Sequence, residues 1–349
     1  MYEKFVISAL CVILSLIIGI CGLVYVVDPF NHYRADKDMT KIIYQLPNYQ
    51  NTGIAKHTEY DTLITGSSMV QNFRAWWFDE AFDCKAIRLA YDGGVVGDYS
   101  ALLNIAIQNN DALNTVYYGL DNFTITGDSA LVGKTDKIPE YLTDDNLLND
   151  IKYLLNKDVL LTYTRIYFSY KRYVDYDFYE MHAWDRNKKF IFSKEEVMSD
   201  YTYKTSDIVY DNQHFLDHAE AFCNVILPFV EDNPQIHFVF FAPPYSILYW
   251  HGLMCRGVLD ATVCALKQVY AELLKHSNVN IYYFQNEYEK ISDLDKYKDK
   301  SHYCTEYNKY MLSAFQSGDN LLTTDNYESV LDGMAAYVKQ YDFDSLLDS

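Results

Sequence analysis

The sequence is poor in positive charge: 29 Lys and Arg stand against 48 Asp and Glu, a formal net charge of −19. Nucleic-acid binding needs a basic surface to displace phosphate counterions, so the balance argues against that class. It also weighs against a strongly anionic polymer as a tightly held substrate. No Pro- or Ser-rich linker, internal repeat or low-complexity tract divides the chain. No cysteine pair has the C-x-x-C spacing of a thiolate metal site. Of the seven Cys, Cys11 and Cys21 lie in an apolar run. Cys255 and Cys264 are close enough in sequence for a local disulfide, against the simpler reading of buried, unpaired thiols. Only one apolar run reaches the length of a membrane span.

That run extends from Phe5 to Val27 without a charged residue. At ~1.5 Å per helical residue it can cross a hydrocarbon core of ~30 Å. It ends in Tyr25-Val26-Val27-Asp28-Pro29-Phe30, without the small residues of a signal-peptide cleavage site, which predicts an uncleaved anchor over residues 1–30. Lys4 precedes the span while Arg34, Lys37 and Lys41 follow it, so the positive-inside count does not orient it. A four-residue tail ahead of a long domain places residues 31–349 outside the cell membrane. With 34 Tyr and 19 Phe in all, the chain has ample material for a folded core.

Short apolar runs read as buried strands over 61–65, 84–90, 115–119, 236–241 and 279–284. Helical periodicity occupies Tyr99 to Gln108, Phe215 to Val230 and Val258 to Leu274. Strands alternating with helices predict an α/β fold, a doubly wound and mostly parallel sheet covered on both faces. The alternation breaks between about 124 and 213, where segments such as Tyr163 to Tyr173 are rich in Tyr and Phe. This stretch reads as an insertion or cap over the sheet's carboxyl edge, its aromatics chiefly packing it onto the sheet.

Two places carry chemistry. Leu63-Ile64-Thr65-Gly66-Ser67-Ser68-Met69 is a strand entering a Gly-Ser-Ser turn, followed by an expected helix whose N-terminus favours negative charge. Such a turn suits a nucleophile at Ser68, but taken alone it more often marks an ordinary helix cap. Asp299-Lys300-Ser301-His302 follows the last predicted strand. There Asp299 is spaced to hold the imidazole Nδ1–H, leaving Nε2 of His302 to take a proton from a hydroxyl.

In this order on this fold, the two motifs resemble the SGNH/GDSL hydrolase superfamily. The likeness is greatest to its membrane-anchored cell-surface members, such as the teichoic-acid D-alanylation protein and the alginate O-acetylation proteins. The resemblance implies a flavodoxin-like, SGNH-type sheet with Ser68 as nucleophile, His302 as general base and Asp299 as its orienting carboxylate. It also implies an oxyanion hole from the Ser68 N–H, a glycine after the second strand (Gly93 or Gly94) and an asparagine after the third. In Gly119-Leu120-Asp121-Asn122, Asp121 stands where that asparagine is expected and Asn122 one position late. A carboxylate facing a developing oxyanion repels it unless protonated or turned away.

Phe241-Ala242-Pro243-Pro244-Tyr245-Ser246 leaves the fourth strand in an extended exit, making Tyr245 and Ser246, with Asp121, candidate substrate contacts. His214 and His218 are spaced i, i+4 but lack the glutamate of a zincin motif, so no metal is expected. Asn122-Phe123-Thr124 matches a glycosylation sequon, relevant only to a eukaryotic secretory route.

Two functions are expected. One is an extracytoplasmic serine esterase or O-acyltransferase acting on acyl esters of cell-surface glycans or polymers. Its partners would be the membrane and a membrane-bound acyltransferase, with no nucleic acid and no cofactor. The other is a noncatalytic binding or assembly subunit of a cell-envelope modification system.

Overall fold

The apolar run forms α1 (Tyr2–Val27), a helix long and apolar enough to cross a membrane and exposed along most of its length. The computed structural model describes residues 2–35, 46–126, 138–144, 146–169, 182–186, 189–205 and 212–347. Helix α2 (Pro47–His57) starts on Pro47, where a missing N–H leaves no helical bond unmade. Then β1 (Thr62–Gly66), α3 (Ala75–Phe82), β2 (Ala86–Ala90), α4 (Val96–Asn109), β3 (Thr115–Gly119) and α5 (Asn122–Thr126) follow in turn. The central stretch contributes α6 (Ile151–Leu154), a π-helical turn over Val159–Tyr163, α7 (Thr164–Phe168) and α8 (Lys194–Asp200). The alternation resumes with α9 (Asn212–Asp232), β4 (His237–Ala242), α10 (Ile247–Cys255), α11 (Leu259–Leu273) and β5 (Val279–Tyr283). It closes with α12 (Tyr288–Ser292), α13 (Thr305–Ser317), β6 (Leu321–Leu322), α14 (Tyr327–Gln340) and α15 (Phe343–Leu347).

The six strands form one sheet in the order β2-β1-β3-β4-β5-β6, parallel except for β6. All five predicted strands are present, with ends shifted by one or two residues. The sequence carried no signal for the two-residue antiparallel β6. Helices α4, α9 and α11 pack on one face and α3 and α13 on the other. The winding therefore reverses at β1 and β3, and the crevice outside their carboxyl ends is where such sheets accept ligands.

The pattern of buried side chains explains the packing. Along α9, Phe215, Ala219, Phe222, Cys223, Ile226 and Val230 form one buried stripe at helical spacing. On the opposite face Phe315 of α13 lies among the rings of Phe73, Phe78, Tyr117, Phe241, Tyr282 and Phe284. Each such ring removes a large apolar area from water. Gly66 ends β1 with φ +144°, and a Cβ there would meet the backbone of Gly119 at 3.3 Å. Glycine is required where the chain turns off the sheet.

A second, smaller core joins α1 to the rest. Val24 and Phe30 pack with Tyr141, Leu142, Tyr153 and Val159. The expected single cap over 124–213 is thus divided. Residues 141–144 and 146–168 pack beside the end of α1, so their aromatics do not cover the sheet, whereas 182–186 and 189–192 approach the carboxyl edge. The helix predicted from Tyr163 to Tyr173 is present to Phe168; its remainder from 170 lies outside the described residues. All seven cysteines are free, and only Cys223 is buried, so neither the local disulfide nor buried thiols at Cys255 and Cys264 is found.

Candidate active site

Ser68 and His302 are brought together from opposite ends of the domain. Ser68 Oγ lies 2.8 Å from His302 Nε2, and His302 Nδ1 lies 2.7 Å from Asp299 Oδ2. Asp299 also accepts from the backbone N–H groups of Ser301 (2.8 Å) and His302 (2.9 Å) and from Lys298 Nζ (3.0 Å). Burial alone would raise its pKa, but the His302 bond and charge and the backbone donors outweigh this and hold it well below the usual carboxylate range. Asp299 is therefore ionised, with the geometry to keep a proton on Nδ1 and leave Nε2 as acceptor.

The difficulty in building this arrangement is distance. Asp299 and His302 follow β5, three strands away from β1, roughly 14 Å at ~4.8 Å per strand. Four hydrogen bonds carry the loop across the carboxyl edge. The Phe284 N–H donates to the Ala242 carbonyl (3.0 Å), the Tyr297 hydroxyl to the Pro244 carbonyl (2.8 Å) and Ser246 Oγ to the Lys300 carbonyl (2.7 Å). The Tyr303 hydroxyl then donates to the Met69 carbonyl (2.5 Å), next to Ser68 in the chain.

The expected helix after Gly-Ser-Ser is not there. Residues 67–72 form successive turns, with the Val70 N–H donating to the Ser67 carbonyl and the Gln71 N–H to that of Ser68. The helix begins only at Ala75, so no helix N-terminus faces Ser68. Arg74 occupies the interval, donating through Nη2 to both oxygens of Asp185 at 2.8 and 2.9 Å. Asp185 also accepts from Thr305 Oγ1 and donates its N–H to Asn72 Oδ1 at 3.1 Å. One carboxylate thus ties together the serine loop, residues 184–186 and the start of α13.

Next to Asp185, Trp184 covers the site. Its Nε1–H donates to the Ser68 carbonyl at 2.8 Å, and its ring stands edge-on to His302 at 5.5 Å between centroids. Lys298 Nζ sits over the rings of Trp184 and Phe190 at 5.0 and 4.6 Å. Sequence reasoning missed Arg74, Trp184, Asp185 and Lys298. None has a local motif, and only their convergence from separate segments marks them.

The remaining candidates are placed differently from expectation. Asp121, Tyr245 and Ser246 are all buried beneath the site, so they brace it and do not present a surface to substrate. Tyr245 donates to Asp121 Oδ1 at 2.5 Å. Burial pushes the Asp121 carboxyl up to about 6, against the opposing effects of Tyr245, Ser67 and the His302 charge. Asn122 is engaged by Gln285. Its amide exchanges two 3.2 Å hydrogen bonds with Gln285. Its complete burial also removes the sequon from any glycosylating enzyme in the folded state. The Tyr99 side chain packs on Gly94, where a Cβ would meet its hydroxyl at 2.8 Å, and Gly93 is exposed with φ +54°. The Ser68 N–H takes no partner among the described residues.

A hydroxyl, an imidazole and a carboxylate in this chain can run nucleophilic acyl chemistry. Compared with known families and with curated proteins, the chain matches none.

Proposed function

We propose that this chain is a membrane-anchored, extracytoplasmic serine esterase or O-acyltransferase of SGNH type, acting on acyl esters of cell-surface glycans or polymers. The observation that carries the reading is the relay from Ser68 Oγ through His302 to Asp299, at 2.8 and 2.7 Å. Ser68 Oγ bonds to the ester carbonyl carbon as its proton passes to His302 Nε2. The bond to the leaving alcohol then breaks as that alcohol takes the proton, leaving the acyl group on Ser68. Water or a glycan hydroxyl, deprotonated by His302, attacks the acyl-enzyme and releases it. The free Ser68 N–H is the donor positioned to meet the oxyanion.

The anchor reading draws on the second core. Val24 and Phe30 are almost fully buried there, so cleavage within or just after α1 would strip a packed surface. An anchored enzyme works beside lipid-linked or wall-attached acceptors, and a membrane-bound acyltransferase is the partner class that would supply or receive the acyl group.

Labelling of the full chain with a fluorophosphonate tests the nucleophile. The wild type is expected to label, and Ser68→Ala to lose labelling together with about 10⁴-fold or more of its ester turnover. Equal labelling of the two would overturn the proposal. A second reading, a noncatalytic binding or assembly subunit, draws on the Asn122 amide being locked to Gln285. Folded wild-type protein inert toward probes of every size would favour it.

A further inference from the structure

Six large apolar side chains are left uncovered on the elements that pack against α1: Leu147, Leu148, Ile151, Leu155, Leu161 and Phe168. Leu148 is 87% exposed, Phe168 68% and Leu161 67%. Scattered apolar residues are normal on a surface; a cluster confined to one short stretch marks a contact.

Their depth follows from α1. About 20 residues counted from Phe5 exhaust a ~30 Å hydrocarbon core, which then ends near Val24. Val24 is packed against Tyr141, Leu142, Tyr153 and Val159, and Ile20 and Cys21 are partly covered. The segment from α6 to α7 therefore sits at the level of the outer membrane interface.

Charge points the same way. The exposed charged residues between 147 and 168 are Lys152, Lys157, Arg165 and Asp158, an excess of cations in a chain of net charge −19. Asp150 is buried against His32. Apolar side chains interleaved with basic ones on short helices suit an interface between acyl chains and anionic headgroups. A protein interface of this size would be depleted in lysine.

We propose that residues 147–168 are a second membrane contact, lying in the headgroup and upper acyl region of the bilayer that α1 crosses, with lipid as the occupant. This rests on the reading of α1 as an uncleaved span. Two attachments joined by a packed core fix the tilt of the domain as well as its distance from the membrane.

The test uses the full chain in phosphatidylcholine–phosphatidylglycerol vesicles, with p-benzoylphenylalanine replacing Leu148, Leu161 or Phe168 singly. These are exposed positions whose replacement leaves the core intact. Leu14, within α1, and Lys275, exposed at the far end of α11, are the reference positions. After irradiation, mass spectrometry should find lipid adducts at all three positions at yields comparable with Leu14, and none at Lys275. Lipid adducts at Leu14 alone would overturn the second contact while leaving the anchor standing. Absence of adducts at Leu14 would remove the anchor and the contact together. Protein–protein adducts at the three positions would make the surface an interface between copies and overturn the proposal.

Discussion

Among the described residues, two Asp–His pairs differ in what surrounds them. At the carboxyl edge Asp299 holds His302, and at the junction with α1 Asp150 holds His32 through Nε2 at 3.1 Å. The first imidazole presents its other nitrogen to Ser68 at a partly exposed surface. The second is buried among Tyr33 and Tyr153, with Nδ1 unpartnered among the described residues. Burial, then Lys56, lowers the His32 pKa despite Asp150 and Asp28, so this histidine is a neutral packing element. A carboxylate beside an imidazole is therefore no mark of catalysis. What separates the two is a hydroxyl on the far nitrogen and access from outside.

The junction is otherwise built as tightly as the site. Asp28 accepts from the N–H groups of His32 and Tyr33, both at 2.9 Å, and from the Tyr153 hydroxyl at 3.2 Å. A Cβ on Gly53 would lie 1.9 Å from the Phe30 carbonyl oxygen, so only glycine lets the chain leaving α1 rest on α2.

Separating the roles of the two regions is a matter of substitution. The largest effect is expected from Asp299→Asn, which misorients the His302 tautomer and should lower turnover by about 10⁴-fold. Heat denaturation should confirm that the His32 junction is undisturbed; unchanged turnover would place Asp299 in the same structural class as Asp150. Arg74→Ala leaves the largely buried Asp185 carboxylate without its cation, a loss of about 3–5 kcal/mol. Chemical denaturation measures it, and a change below 1 kcal/mol would show that the pair acts as a surface bridge.

Asp121 supplies a pH signature. Its folded pKa of about 6 lies above the unfolded value near 3.9. Stability from this group is therefore complete below pH ~4 and is lost as pH rises through 6, a difference of about 3 kcal/mol. Asp121→Asn should remove that slope, raising the denaturation midpoint at pH 7.5 but not at pH 4; an unchanged slope would show that the carboxyl titrates normally. At the junction Gly53→Ala drives a Cβ into the Phe30 carbonyl and should cost about 3 kcal/mol or more in thermal stability. Ester turnover by the protein that remains folded should stay at the wild-type rate, and a selective loss of turnover would couple the junction to the site.

Much of this was legible in the residues. Five strands and three long helices follow from apolar runs and helical periodicity, because each buries a face that its own local sequence must supply. Ser68, Asp299 and His302 stood out because a strand-end Gly-Ser-Ser and an Asp spaced three before a His are local patterns. The partners of the other residues expected beside Ser68 were not legible. Asn122 is spaced suitably, but its amide bonds Gln285, a partner that no local pattern reveals. The cap was misread for the same reason. An aromatic-rich insertion has no period that says which surface its rings will cover, and here those of the described residues divide between α1 and the site.

The sequence by itself determined the apolar helix, the alternating α/β order and the three residues of the relay, since each is written in a contiguous stretch of a few residues. Only the tertiary structure decided that Ser68 and His302 meet, that Trp184 and Asp185 close over them, and that Asp121 lies buried beneath. Those relations join segments separated by up to 234 positions in the chain. They depend on how strands three places apart are bridged at one sheet edge, a property of the packed whole that no single stretch encodes.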